Sequence, residues 1–66
     1  MNINLEFIKK RRLERGFTQK QMAEKLGFCN ASIYNKIELG HYKLPAEIMP
    51  QLAKILKCKI TNFFIL

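Results

Sequence analysis

The residues Thr18–Gly40, TQKQMAEKLGFCNASIYNKIELG, decide the fold. Thr18 carries a hydroxyl that accepts well from a free main-chain N–H in a helix's first turn, which marks a helix start. Met22, Ala23 and Leu26 follow at i, i+1 and i+4, the spacing of one apolar helix face. Gly27 stands where a helix C-terminus favours a residue able to take positive φ. Beyond it, Asn30 or Ser32 is suited to cap a second helix, whose buried face would carry Tyr34 and Ile37. Ala23 is small enough for the two helices to approach closely. The stretch predicts two short amphipathic helices joined by a glycine turn.

Upstream, Leu5 and Ile8 share a helical face with Arg12, while Lys9, Lys10, Arg11 and Arg15 lie on the opposite side. Asn4 or Asn2 would cap this first helix, Gly16 would end it, and Phe17 would plug the core before Thr18. Downstream, HYKL reads as a loop, and Pro50 removes an amide and disfavours helical geometry at Met49. A fourth helix is expected from about Pro50 to Lys57, with at most one turn over Pro45–Ile48. Leu52, Ala53 and Leu56 form its buried stripe. Thr61 would cap a last short helix, Thr61–Phe64, with Ile60 in the core and Phe63 and Phe64 adding bulk. Ile65 and Leu66 have no evident partner within so short a bundle; they would pack under a second subunit or fray. The expected fold is all-α, a compact five-helix bundle forming one domain over residues 1–66.

Two helices crossing steeply about such a turn form a helix-turn-helix, whose second helix can enter the DNA major groove. Composition agrees with an anionic partner: twelve Lys and Arg against five Asp and Glu give a formal charge of +7. With 48% hydrophobic residues the chain has material for one core, unlike a disordered tail. Cys29 and Cys58 show no metal-ligand spacing and His41 is the sole histidine, so no zinc site or other cofactor is expected. Two unpaired thiols fit a reducing cytoplasm, and MNINLEFIKK lacks the apolar core of a leader peptide. The longest apolar run, Phe63–Leu66, is far too short for a membrane span. The sequence has no paired carboxylates, phosphate-binding glycine loop or nucleophile–base set, so an enzyme is not expected.

The residues Arg12, Gln19, Ala23 and Gly27, then Tyr34, Ile37, Glu38 and Gly40, then Pro50, Leu52, Ala53, Leu56, Ile60, Phe63 and Phe64 stand in a familiar order. This order resembles the Cro and phage-repressor family of XRE-type regulators over about Leu5 to Phe64. The resemblance implies a five-helix bundle of the lambda-repressor-like type that binds double-stranded operator DNA, usually as a homodimer. One departure stands out: Gly27 and Glu38 are eleven positions apart, one more than in the usual pattern. If the extra residue lies in the turn, Tyr34 is buried and Ala31, Ser32, Asn35 and Lys36 face DNA. If it lies later, Ile33 is buried and the DNA face shifts to Asn30, Ala31 and Asn35. The first is preferred, because Tyr34, Ile37 and Glu38 then keep the family's downstream spacing.

A recognition helix needs small or short polar side chains near its N-terminus, where the backbone comes close to the base edges. Asn30, Ala31, Ser32 and Asn35 suit this, and Lys36 one turn on can reach a guanine or a phosphate. Asn30 and Ser32 also suit plain capping, a role compatible with base contact. Gln19 resembles the family's phosphate-binding glutamine at the start of the first helix of the pair. Thr18, Lys20, Tyr42 and Lys43 are candidates for further phosphate contacts; His41 reads better as an ordinary loop residue. Arg12 lies on an apolar stripe and needs a carboxylate partner if buried. The resemblance offers Glu38 for that role, in a pair that would also aim Arg12 at the DNA backbone. The functional expectation is a sequence-specific regulator, most simply a repressor of phage or mobile-element type. The competing expectation is a helical interaction module, such as an antitoxin whose main partner is another protein.

Overall fold

A computed structural model describes residues 2–65. Its four α-helices are Leu5–Glu14 (α1), Gln19–Leu26 (α2), Ala31–Leu39 (α3) and Met49–Leu56 (α4). Two 3-10 turns, Ala46–Ile48 and Ile60–Phe63, and two short strands, Asn2–Ile3 (β1) and Phe64–Ile65 (β2), complete the described residues.

The helix boundaries follow from local chemistry. Asn4 Oδ1 accepts from the Phe7 N–H at 3.1 Å and starts α1. At α2, Thr18 Oγ1 accepts from the Gln21 N–H while Gln21 Oε1 accepts from the Thr18 N–H, a reciprocal capping box. Gly27 closes α2 at φ 81°, and Phe28 N–H reaches back to the Ala23 carbonyl at 2.9 Å. Asn30, not Ser32, caps α3 by accepting from Ile33 N–H. Pro50 sits in the first turn of α4, where its missing N–H has no helical partner to lose, and Met49 before it, expected outside helical geometry, is helical at φ −58°, ψ −46° and opens α4. Lys57 ends α4 at φ 52°, a left-handed conformation uncommon outside glycine. Arg11 supports that end from across the bundle, with Nε donating to the Leu56 carbonyl at 2.8 Å. Arg11, on the side of α1 opposite Leu5 and Ile8, is therefore half-buried against α4.

The expected five helices become four, because the C-terminal segment takes another form. Thr61–Phe64 is not an α-helix: a 3-10 turn begins one residue earlier, at Ile60, and Phe64 is already extended. One isolated turn has too few hydrogen bonds to propagate an α-helix. The end of the chain instead pairs antiparallel with its beginning, Asn2 opposite Ile65 and Ile3 opposite Phe64. Ile65 thus has a partner within its own chain; Leu66 lies outside the described residues. Ile60, expected in the core, is 39% exposed.

The core draws on every helix: Ile8 of α1, Met22, Ala23 and Leu26 of α2, Tyr34 of α3, Leu52, Ala53 and Leu56 of α4, and Phe63 beyond them. Phe17 and Phe64, expected as core, are partly buried and pack against it. Ala23 is buried where α2 and α3 pack against each other.

Candidate nucleic-acid interface

Helix α3 is anchored on one side and open on the other. Tyr34 is fully buried and Ile37 nearly so, which fixes the rotation of the helix. Ile33 is only partly buried, so the extra residue between Gly27 and Glu38 lies in the turn ahead of the helix. That rotation leaves Asn30 and Ser32 exposed, with Ala31, Asn35 and Lys36 partly so. The amino end of α2 lies alongside. Lys20 lines one shallow groove together with Ala31 and Asn30, and Glu24 and Cys29 line it too.

Beneath this surface runs a polar chain. Arg12 donates from Nε to Glu38 Oε2 at 2.7 Å and from Nη1 to the Phe17 carbonyl at 2.8 Å. The side chains of Arg12 and Glu38 are 8% and 3% exposed, so the expected pair exists and is buried. Arg12 is thereby turned inward, away from the solvent-facing position that a phosphate contact needs. Gln19 Nε2 donates to Glu38 Oε1 at 3.3 Å and to Asn35 Oδ1 at 3.0 Å, linking α2 to the middle of α3. The side-chain amide of Gln19, expected to hold a phosphate, therefore points its donors into the protein. The Tyr34 hydroxyl is buried without a hydrogen-bond partner among the described residues. Desolvation, and then the neighbouring Glu38 carboxylate, push its pKa far above the ordinary tyrosine range.

At the far end of α3, Lys36 Nζ lies 5.1 Å from the centre of the Tyr42 ring and 3.5 Å from its hydroxyl. Tyr42 and Lys43 are exposed in the following loop, and His41 is held there by its N–H to the Lys36 carbonyl. Thr18 is exposed but its hydroxyl is engaged as the α2 cap. The structure thus brings together Gln19 with Asn35, Lys20 with Asn30 and Ala31, and Lys36 with Tyr42; Arg12 falls beneath them. The Gln19–Asn35 link has no sequence signal, because it depends on how two helices cross.

Among the described residues, no cluster of metal-binding side chains occurs and no helix is long and apolar enough to cross a membrane. Comparison with curated proteins and with solved structures returns no match. A family model described as helix-turn-helix matches residues 8–63, nearly the whole chain. With α2 and α3 standing in the arrangement that this motif names, the chain belongs to the XRE-type helix-turn-helix family of DNA-binding regulators.

Proposed function

We propose that the chain acts as one domain, a sequence-specific repressor of phage or mobile-element type that places α3 in the major groove and occupies an operator against polymerase. The observation that carries this reading is the open N-terminal turn of α3 on a helix locked by Tyr34 and Ile37. Asn30, Ala31, Ser32, Asn35 and Lys36 are its base-reading set. Thr18, Lys20, Tyr42 and Lys43, with the main-chain N–H groups at the start of α2, meet the phosphates. Arg12 is left out of that set because its guanidinium is committed to Glu38 and Phe17. The partner is double-stranded DNA, bound by a homodimer, inside the cell. The interaction-module reading rests on exposed Leu13 and Leu39, and scattered leucines are ordinary on protein surfaces.

Salt-titrated binding to random-sequence DNA, followed by selection of bound sequences, tests the reading. The logarithm of affinity should fall linearly with the logarithm of salt concentration, and a palindrome should be enriched. Salt dependence without enrichment would reduce the protein to a nonspecific binder, and the absence of both would favour a protein partner.

A further inference from the structure

We infer that the groove between α1 and α4 docks a partner protein through an acidic peptide segment, one whose carboxylates flank an apolar side chain. The inference stands apart from the proposed DNA reading, because the groove is lined by α1, α4 and residues 57–62 and by none of α2 or α3. Four cations border it, Arg11, Lys54, Lys57 and Lys59, against one carboxylate, Glu14, which lies 3.6 Å from Arg11. The three lysines are exposed, and none has a carboxylate within ion-pair distance among the described residues. Like charges gathered in this way repel one another, and an anion bound among them relieves that repulsion. Arg11 is fixed in advance, with Nε donating to the Leu56 carbonyl and Nη2 to the Lys57 carbonyl at 3.2 Å. Lys57 closes α4 at φ 52°, where glycine would be unstrained. The fold thus keeps a cation beside the groove despite the strain at that helix end.

Between the cations the groove is apolar. Ala53 is buried, Phe7 and Cys58 are half-buried, and Pro50 lies beside them. Burial pushes the Cys58 thiol up, against the opposing pull of Arg11, so at neutral pH it is an uncharged part of this floor. An apolar floor with a cationic rim separates the classes of anionic partner. A nucleic-acid backbone would meet the lysines but has no side chain to fill the floor. An acidic peptide brings carboxylates for the rim and an apolar group for the floor together. A second copy of the chain does not fit. Its five acidic residues are all glutamates, none closer than eight positions to the next, and two chains of charge +7 repel at their basic faces.

The probe is a short synthetic peptide that repeats two glutamates and a leucine, compared with the same peptide carrying serine for leucine. Binding is measured by calorimetry at about 0.15 M salt, where distant charges are screened. The leucine peptide should bind about tenfold more tightly than the serine one, through the floor. Reversing two rim charges, as Lys54→Glu with Lys59→Glu, should weaken the leucine peptide by about tenfold or more. The charge-matched pair Lys20→Glu with Lys43→Glu, outside the groove, should change it by no more than about twofold. Lys57→Gly should melt no lower than the unaltered chain, since glycine suits that backbone, yet bind the peptide more weakly. Amide NMR shifts induced by the peptide in the unaltered chain should fall on Arg11, Lys54 and residues 57–59; these decide the matter if the charge-reversed chain does not fold. Equal binding of the leucine and serine peptides would overturn the inference, as would equal weakening by the two charge-reversed pairs. So would a groove pair that weakens a short DNA duplex and leaves the peptide untouched, because the groove would then serve nucleic acid.

Discussion

Glu38 is the residue on which the most depends, since one carboxylate serves Arg12 and Gln19 at once. Removing it as Glu38→Ala leaves the Arg12 guanidinium buried without its counter-charge. Denaturant unfolding should then show a loss of about 3 kcal/mol or more. A loss within about 0.5 kcal/mol, the scale of exposed pairs, would contradict the burial seen here. Tyr34 presents the opposite case, a buried hydroxyl without a partner. Tyr34→Phe deletes an unsatisfied polar atom while keeping the ring, and should stabilise the chain by about 1 kcal/mol. The same hydroxyl makes stability depend on alkaline pH. Its folded pKa is raised, by burial first and then by Glu38, while the unfolded chain ionises at about pH 10. The stabilisation is complete below that pH. Above it the unfolded state releases a proton that the folded state keeps, so stability falls by about 1.4 kcal/mol per pH unit. Unfolding midpoints between neutral and strongly alkaline pH should show this slope, and Tyr34→Phe should remove it.

At the scale of the element, α3 has one residue with two duties. Asn30 accepts from Ile33 N–H and also stands exposed at the open turn. Asn30→Ala should lose about 1 kcal/mol of stability together with DNA affinity. Asn30→Ser should keep the cap, and melting temperature, while altering sequence preference; equal loss of both properties in both variants would assign Asn30 to capping alone. Such duties were legible in the sequence because a cap is chemistry between residues three apart. Asn4, Thr18, Gly27, Asn30 and Pro50 mark their helix ends by that local logic. The Arg12–Glu38 pair was legible in two steps: an arginine on an apolar stripe demands a carboxylate, and the family resemblance, not the stripe, pointed to Glu38. The C-terminal segment was not. Strands of two residues have no periodicity to read, and β2 exists only because the start of the chain lies beside it. The inward turn of Gln19 escaped for the same reason: nothing within α2 points to Asn35, sixteen positions on.

The whole molecule carries its excess of positive charge on a bundle too small to place two recognition helices by itself. A probe with two half-sites whose centres are about 34 Å apart along the duplex should therefore bind a pair of chains more tightly than the same half-sites offset by half a turn. Equal affinity for the two probes would show that the chains bind singly. The pairing of the chain's two ends has a mechanical consequence. Because Asn2 lies opposite Ile65, traction applied at those two positions loads the ladder from its open end, parting its hydrogen bonds in succession. The Asn4 N–H bond to the Phe63 carbonyl comes next. In a single-molecule stretching experiment, the first rupture should come at low force, like a zip drawn from its tab, with α1 peeling away only afterwards.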